Sequence, residues 1–366
     1  MRYVYIAGAG SRGVTMAKYL TYLDNDVEIK AYLYDNDEKN PTEIEGVPVL
    51  DISKEAYLNN EYPVYIATRG VNQEKLKNSL KLYGIKKIIP VDVQLDMKFR
   101  NAFIEKYYRS IGKQYSKISY NQNEDSRDDT GYTGCIYVAS SAFDGELKEK
   151  YKKEEYEKVI QVGTALTSQT INADYFDNEG CNISDKNKQY CELTGLYWIW
   201  KHAKEDYIGL AHYRRHFLLP QNWLDIVKNQ KIAHIIILLF LYLRQPLYVS
   251  PSLAENYCDR HIAKDWDMLM EYVYRNNNSE YEKMNLFFKG NLYSPCNMII
   301  AKREIICEFC EWLFPILDTV VKSVGEHKDL YQNRYPGFMA ERLMTYYFET
   351  KSEKYHIVYA DKSFLC

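Results

Sequence analysis

The sequence predicts an α/β protein made of two domains. Strands and helices alternate over residues 1–113, a polar segment covers 114–134, and strand and helix patterns resume over 135–366. The length of 366 residues agrees, because one domain usually takes about 150 residues. The segment 114–134 is rich in Ser, Asn and Asp and has no hydrophobic periodicity, so we expect it to be a linker.

The first domain opens with a β-α-β pattern. Residues 3–7 form a short apolar strand, 14–23 have helical periodicity, and the strand pattern VEIKAYLYDND ends in acids. A strand at 64–67, a helix ending near Leu82 and a strand in KKIIPVD follow. This alternation predicts a Rossmann-like parallel sheet covered by helices on both faces.

A glycine-rich loop follows the first strand. Gly8, Gly10 and Gly13 form a GxGxxG pattern that opens the first helix, and Asp35 comes about 20 residues later. Such glycines let backbone N–H groups approach a diphosphate, and the acid would accept hydrogen bonds from ribose hydroxyls. The pattern predicts either a nucleotide or nucleotide-sugar site, or a Rossmann-like scaffold without a ligand.

In the second domain we predict strands in CIYVASS, YEKVIQVGTAL and DYIGLAHYRRHF. A helix is expected in YCELTGLYWIWKHA, because its apolar residues fall on one face. Near the end, SPCNMIIAKRE predicts a strand that runs into a helix, and CEFCEWLFPILDTVVKSV and GFMAERLMTYYFE predict two long helices. His261 and Asp265 are four residues apart, so we expect them to share a helix face, more for structure than for catalysis.

Composition and targeting signals narrow the function. The 47 basic and 50 acidic residues nearly balance, so net charge predicts no binding to nucleic acid or to an anionic membrane. The eight Cys residues are scattered and no signal-peptide cleavage site is evident, which favours a cytoplasmic protein.

The apolar stretch 232–243 is shorter than the about 20 residues of a membrane span. We expect a buried helix there, or a peripheral contact with the inner membrane face near Trp223.

Three polar clusters in the second domain are candidates for a functional site. The first, NISDKNKQYCE, contains Asn182, Asp185, Asn187, Tyr190 and Glu192. The second has Asp206 before a strand and, at the exit of that strand, His212, Arg214, Arg215 and His216. Arginine forks suit a diphosphate, although a solvated basic turn would look the same.

The third cluster places Glu341 beside Arg342 in the helix of GFMAERL. A glutamate there is either a general base, with its pKa set by burial and the adjacent arginine, or half of a structural ion pair.

Two resemblances to known families give these patterns a meaning. GAGSRG, YLYDND and IEGVPVL resemble the amino-terminal domain of bacterial sugar acetyltransferases, which implies UDP-sugar binding. No left-handed β-helix repeat follows, so acetyl transfer is not implied. NISDKNKQYCELTGLYWIWK, DYIGLAHYRRHF, CNMIIAKREI and GFMAERL closely resemble a bacterial family met in capsular and exopolysaccharide gene clusters and classed with glycosyltransferases, some of them galactofuranosyltransferases.

The second resemblance implies a GT-A-like α/β fold and a reaction. A sugar would pass from a nucleotide donor, a UDP-sugar such as UDP-galactofuranose, to a lipid-linked oligosaccharide, with inversion. It places Glu341 where such enzymes have their base and Asn297 on the acceptor side. The remaining donor-binding candidates are Gly163, Asn182, Asp185, Asn187, Tyr190, Glu192 and Asp206.

The metal requirement stays open. GT-A enzymes usually carry a metal-binding Asp-x-Asp at the strand end where this sequence has AHYRR. We therefore expect Arg214 and Arg215 to neutralise the negative charge of the leaving diphosphate. The alternative is a divalent ion, Mn²⁺ or Mg²⁺, held partly by His212.

Two other functions remain as alternatives. One is a nicotinamide-dependent nucleotide-sugar oxidoreductase or epimerase built on the glycine loop, and the other is a non-catalytic scaffold that senses a nucleotide sugar. The first lacks an obvious Tyr-x-x-x-Lys pair after the first domain.

Overall fold

The computed structural model describes residues 1–35, 39–54, 58–68, 70–118, 131–147, 152–220, 223–224, 239–244, 246–352 and 354–363. They form two compact units, the first made of Met1–Tyr115 with Tyr248–Ser250 and the second of Ser116–Leu247 with Pro251–Cys366. The protein is a mixed α/β protein with largely parallel sheets, which confirms the predicted fold class.

The first unit is built on a six-stranded sheet. Its strands are β1 (Arg2–Ala7), β2 (Val27–Tyr34), β3 (Glu43–Ile44), β4 (Val47–Asp51), β5 (Val64–Ile66) and β6 (Ile88–Pro90). Their order is β3-β4-β2-β1-β5-β6, and every neighbouring pair is parallel except β3 with β4. Without the short β3, this is the strand order of a Rossmann-type sheet. Its helices are α1 (Ser11–Leu23), α2 (Gly70–Leu82) and α3 (Val93–Ser110).

The second unit is built on an eight-stranded sheet. Its strands are β7 (Ser116–Lys117), β8 (Gly134–Ser140), β9 (Glu157–Gln161), β10 (Tyr175–Phe176), β11 (Tyr207–His212), β12 (Leu239–Arg244), β15 (Ile299–Lys302) and β16 (Tyr355–Ala360). They lie in the order β10-β9-β8-β11-β15-β12-β16-β7, and β15 is antiparallel to both of its neighbours. Two short strands, β13 (Leu247–Tyr248) and β14 (Leu292–Tyr293), belong to neither large sheet.

Seven helices are described in the second unit: α4 (Asn187–Tyr190), α5 (Leu193–His202), α6 (Leu253–Arg260), α7 (Ala263–Asn276), α8 (Asn278–Phe288), α9 (Arg303–Val324) and α10 (Tyr335–Glu349). The amphipathic α9 buries Ile305, Phe309 and Leu313. Helix α10 is buried along most of its length, so its polar residues need partners inside the protein.

The sheet of the second unit reverses its strand order beside β8. From β8 the chain proceeds to β9 and β10 on one side, and then returns to β11 on the other side. Strands β8 and β11 are parallel, with Ala139 opposite His212, so their carboxyl ends meet at one edge. In α/β sheets, ligands bind outside the carboxyl ends of the strands at such a reversal.

The apolar stretch 232–243 is not a helix where the structure describes it. Residues 239–244 form β12, which lies inside the sheet between β15 and β16, and residues 232–238 lie outside the described residues. Trp223 is only 1% exposed and packs in the core with Tyr207, so it is not a membrane contact. No helix in the described part of the chain is long and apolar enough to cross a membrane.

Two smaller expectations also need correction. Ser116–Lys117, expected in the linker, forms the edge strand β7 beside β16, and Ile118 is buried in the core. The rest of that segment up to residue 130 lies outside the described residues. His261 follows the last residue of α6 while Asp265 lies in α7, so the two residues share no helix face.

Candidate functional site

Two adjoining cavities lie at the edge where β8 and β11 end. The large cavity has a volume of about 590 Å³, within the range of about 300–1,000 Å³ that is usual for ligand sites. The small cavity has a volume of about 200 Å³. Four residues line both, and they therefore form a shared wall: Cys191, Glu192, His212 and Arg334.

The two cavities differ in character. The remaining residues that line the large cavity are Ala139, Ser141, Phe143, Asp144, Val162, Leu166, Asn187, Lys188, Tyr213, Arg214 and Leu330. The remaining residues that line the small cavity are Arg215, Cys296, Tyr331, Gly337, Phe338 and Glu341. The large cavity thus combines apolar walls with three cations and two carboxylates, whereas in the small cavity the carboxylates of Glu192 and Glu341 are balanced by the guanidinium groups of Arg215 and Arg334.

A tight turn at the end of β11 separates the two predicted arginines. The backbone N–H of His212 donates to the carbonyl of Arg215 at 3.0 Å, and the Arg215 N–H donates back at 2.7 Å. Arg214 faces the large cavity and its guanidinium lies 4.8 Å from the centre of the Tyr213 ring, whereas Arg215 faces the small cavity. The two arginines therefore line different cavities.

His212 is neutral at physiological pH. Burial lowers its pKa to about 4, and the neighbouring Arg215 and Arg214 act in the same direction, while Glu192 opposes them. Its buried Nδ1 has no hydrogen-bond partner among the described residues. His212 can therefore form a hydrogen bond with a ligand as a neutral imidazole.

Arg334 is a site residue that sequence reasoning missed. Its Nε donates to the Sγ of Cys191 at 2.9 Å. Its guanidinium makes no salt bridge with any carboxylate of the described residues, and it lines both cavities. A guanidinium without a carboxylate partner in a cavity is suited to an anionic ligand. The sequence feature that could have identified Arg334 is its position as the first residue of the motif RYPGFMAERL.

Glu341 lies in the small cavity as a positioned carboxylate. Its Oε1 accepts a hydrogen bond of 2.6 Å from the backbone N–H of Cys296. Arg342 is only 2% exposed and points elsewhere, because its guanidinium donates to the carbonyl of Leu253 and to Oδ1 of Asn256. Arg342 thus links helix α10 to helix α6 through these two hydrogen bonds.

Asn297 connects the third motif with the first. Its Nδ2 donates to Oε1 of Glu192 at 2.8 Å and to the carbonyl of Gly337 at 3.1 Å. The residue is only 1% exposed, and its Oδ1 has no hydrogen-bond partner among the described residues. Asn297 lines neither cavity, so it acts on the site through Glu192.

The backbone is strained around these residues. Cys191, Cys296 and Asn297 have φ angles of 50°, 80° and 48° in the left-handed region, where residues other than glycine are uncommon. Such strain costs about 1–3 kcal/mol per residue and clusters at functional sites. Three strained residues next to the small cavity therefore support its assignment as a functional site.

Asp177 holds one wall of the large cavity. It is fully buried and accepts hydrogen bonds from the backbone N–H groups of Gly163 at 2.8 Å and Thr164 at 3.0 Å. The hydroxyls of Ser184 and Thr194 also donate to it. No sequence motif indicates this network, because the four donors come from three separate places in the chain, 163–164, Ser184 and Thr194.

Gly163 and Asn187, both predicted for the donor site, meet at this wall. Gly163 has φ of 69°, and a Cβ there would lie 2.6 Å from Oδ1 of Asn187, so only glycine fits. The Asn187 Nδ2 donates to the carbonyl of Cys191 at 2.7 Å. Gly163 therefore shapes the site, and Asn187 lines the large cavity itself.

We expect Asp177→Ala to lower the free energy of unfolding by at least about 3 kcal/mol, because each buried donor left unpaired costs about 1–3 kcal/mol. Chemical denaturation followed by circular dichroism measures the change. Asp185→Ala is the matched control, since Asp185 is exposed and such changes stay within about 0.5 kcal/mol. Equal stabilities of the two variants would contradict the structural role of Asp177.

Several predicted residues lie outside the two cavities. Asn182 donates to carbonyls of its own loop, and the hydroxyl of the fully buried Tyr190 donates to Asp318 at 2.6 Å. Asp206 accepts hydrogen bonds from Thr133 at the amino end of β11, whereas the cavities lie at its carboxyl end. His216 is buried and its Nδ1 lies 2.9 Å from Oε1 of Glu157.

In the first unit, the glycine loop has the backbone that its pattern predicts. Gly8 has φ of 119°, and a Cβ on Gly13 would lie 1.9 Å from the carbonyl oxygen of Gly8, so both positions require glycine. Around Gly10 the space is open, because a Cβ at this position would have no described atom within 4 Å. Asp35 accepts a hydrogen bond of 2.7 Å from Ser79. A cavity of only about 10 Å³ lies next to this loop, lined in part by Arg12.

The described part of the chain contains no ready-made metal site. None of its groups of three or more His, Cys, Asp or Glu side chains is arranged to hold a metal ion.

Comparison with known proteins gives two findings. The sequence matches the family described as Domain of unknown function (DUF4422) over residues 147–352. A solved structure titled "WbbM bifunctional glycosytransferase apo structure" is similar, with a TM-score of 0.51 and 21% sequence identity. The match covers 63% of this chain and 45% of that chain, so it spans less than half of the solved protein, and at this identity it shows a common fold. No curated protein matches the sequence.

Proposed function

The chain belongs to the DUF4422 family, and we propose that it is a glycosyltransferase that moves a sugar from a nucleotide-sugar donor to a hydroxyl group of an acceptor. One observation carries this proposal: a large cavity with an excess of cations and a small cavity that contains Glu341 share a wall at the reversal of the sheet. A transferase needs two such adjoining spaces, because donor and acceptor must meet with their reacting atoms in contact. The common fold with the WbbM glycosyltransferase supports it.

The large cavity is the proposed donor site. Lys188, Arg214 and Arg334 line it, and none of the three makes a salt bridge with a carboxylate of the described residues. Guanidinium groups bind phosphate oxygens with forked hydrogen bonds, so a nucleoside diphosphate fits this charge. Val162 and Leu166 supply an apolar wall for the base. The resemblance of the sequence motifs favours a UDP-sugar, with UDP-galactofuranose as one candidate.

The small cavity is the proposed acceptor site, with Glu341 as the general base. The acceptor oxygen attacks the anomeric carbon, the bond from that carbon to the diphosphate breaks with its electron pair, and the acceptor proton passes to Glu341. A single displacement of this kind inverts the anomeric configuration. The proposed acceptor, a lipid-linked oligosaccharide of capsular or exopolysaccharide assembly, follows from the sequence resemblance.

The guanidinium groups of Arg214 and Arg334 are proposed to stabilise the charge of the leaving diphosphate. Positive groups held in place before the reaction act on charge that develops in the transition state. Activity measured with Mn²⁺, with Mg²⁺ and with a chelator tests whether a divalent ion shares this role.

The function is tested by incubating the full chain with UDP-sugars, including UDP-galactofuranose, and a lipid-linked oligosaccharide. We expect UDP release that depends on the acceptor, together with a labelled product. Binding of UDP and of NAD is measured by calorimetry on the same protein. Tighter binding of NAD than of any UDP-sugar, without transfer, would contradict the proposal and favour a nicotinamide-dependent enzyme.

A further inference from the structure

Glu192 lies where the contents of the two cavities would meet. It lines both of them, together with Cys191, His212 and Arg334. If the diphosphate lies by Arg214 in the large cavity and the acceptor by Glu341 in the small one, the anomeric carbon lies between them. The bond that breaks and the bond that forms both involve that carbon, and among the described carboxylates Glu192 is the one that lines both cavities.

The side chain of Glu192 is held in place by a neighbouring residue. It is half-buried, and its Oε1 accepts the hydrogen bond from Nδ2 of Asn297. It makes no salt bridge with a basic side chain of the described residues. The hydrogen bond from the neutral amide holds this carboxylate, and the charge of Arg334 in the same wall interacts with it. Asn297 adopts a strained left-handed backbone and uses the same Nδ2 to contact Gly337, so its amide is fixed on both sides.

We propose that Glu192 is a second catalytic carboxylate, which stabilises the positive charge that develops on the donor sugar during transfer, and that Asn297 is its positioning residue. This role rests on the proposed glycosyltransferase function. It goes beyond donor binding, because the interaction strengthens only as the bond to the diphosphate breaks.

Glu192 forms and breaks no covalent bond in this step. Transfer from a sugar passes through a transition state resembling an oxocarbenium ion, with positive charge shared by the anomeric carbon and the ring oxygen. The electron pair of the broken bond leaves with the diphosphate, the acceptor oxygen supplies the new bond, and Glu341 takes the proton. The carboxylate of Glu192 acts through its charge.

The proposed roles of Glu192 and Glu341 are distinguished by comparing the rate of sugar transfer with the rate of donor hydrolysis. Both reactions break the same bond, but only transfer uses the acceptor hydroxyl. We expect Glu192→Gln to lower both rates by about 10²–10³-fold, the usual effect of removing one electrostatic stabiliser. Glu341→Gln is expected to lower transfer more than hydrolysis. UDP affinity of Glu192→Gln should stay within about 3-fold of the unmodified protein, which is less than about 0.7 kcal/mol.

Asn297→Gly tests the positioning role. Glycine accepts the left-handed backbone, so the substitution removes the amide with little strain. We expect kcat to fall about 10- to 100-fold, since misplacing a catalytic group by about 1 Å costs up to about 10²-fold, while KM for the donor is unchanged. A purely structural role would instead lower thermal stability without this separation of kcat from KM.

Glu304→Gln serves as the control, because it removes an exposed carboxylate outside both cavities. Full transfer and hydrolysis by Glu192→Gln would overturn the catalytic role and leave the proposed function standing. If Glu192→Gln lost UDP affinity by the same factor as its reaction rate, the catalytic role would also be overturned, because Glu192 would then be a donor-binding residue. Absence of UDP binding, transfer and hydrolysis in the unmodified protein would overturn the proposed function itself, and the role of Glu192 with it.

Discussion

We expect Glu341→Gln to lower the rate of the proposed sugar transfer by about 10²–10⁴-fold, the range in which general bases contribute. Glutamine keeps the size of the side chain and can still accept the hydrogen bond from the Cys296 N–H through its Oε1. The fold of the small cavity is therefore retained, and the substitution removes only the ability to take a proton. Initial rates of UDP release with a saturating acceptor measure the effect.

The control for this result is Glu304→Gln, which neutralises an exposed glutamate at the start of α9. It should transfer sugar at the unmodified rate. UDP affinity should be the same in Glu341→Gln and in the unmodified protein, because Glu341 faces only the small cavity. A Glu341→Gln variant with normal turnover would show that another group accepts the proton.

We expect Arg334→Ala to lower kcat by about 10²–10³-fold and also to weaken UDP binding, because a cation at the proposed diphosphate position acts in the ground state and in the transition state. The guanidinium makes no salt bridge with a described carboxylate, so its removal leaves no buried acid unpaired. Arg334→Lys is expected to restore little activity, since lysine lacks the planar fork. Steady-state kinetics and calorimetry with UDP measure the two effects.

Arg275→Ala is the matched control, because Arg275 is 73% exposed and pairs with Glu271 one helical turn away. It should leave kcat and UDP affinity unchanged. If Arg334→Ala bound UDP normally and retained its turnover, the diphosphate would not lie at the wall between the cavities, and the donor site would have to be sought elsewhere.

The order of strands and helices in both units follows from hydrophobic periodicity, but one central strand does not. Residues 239–244 are continuously apolar up to Leu243, so they lack the alternation of apolar and polar residues that identifies strands. The same run in isolation resembles a buried helix. Only its pairing with β15 and β16, which are distant in sequence, distinguishes the two.

The site was predictable where one motif carries a residue into a cavity, as for His212, Arg214, Glu192 and Glu341. Asp206 was misplaced because a motif does not reveal which end of a strand carries the site. The six residues from Tyr207 to His212 span about 20 Å at about 3.3 Å per residue, so Asp206 and His212 cannot serve one ligand group. The structural role of Asp177 comes from hydrogen bonds to residues that are distant in sequence. No local sequence pattern predicts such bonds.

The turn after β11 acts as a spacer of fixed length. Two backbone hydrogen bonds between His212 and Arg215 set the register, and the register decides that Arg214 enters the large cavity and Arg215 the small one. Inserting or deleting a single residue here would exchange or remove these positions while leaving both arginines in the sequence. Relatives that keep the arginine pair but change the length of this turn should therefore differ in what each cavity accepts.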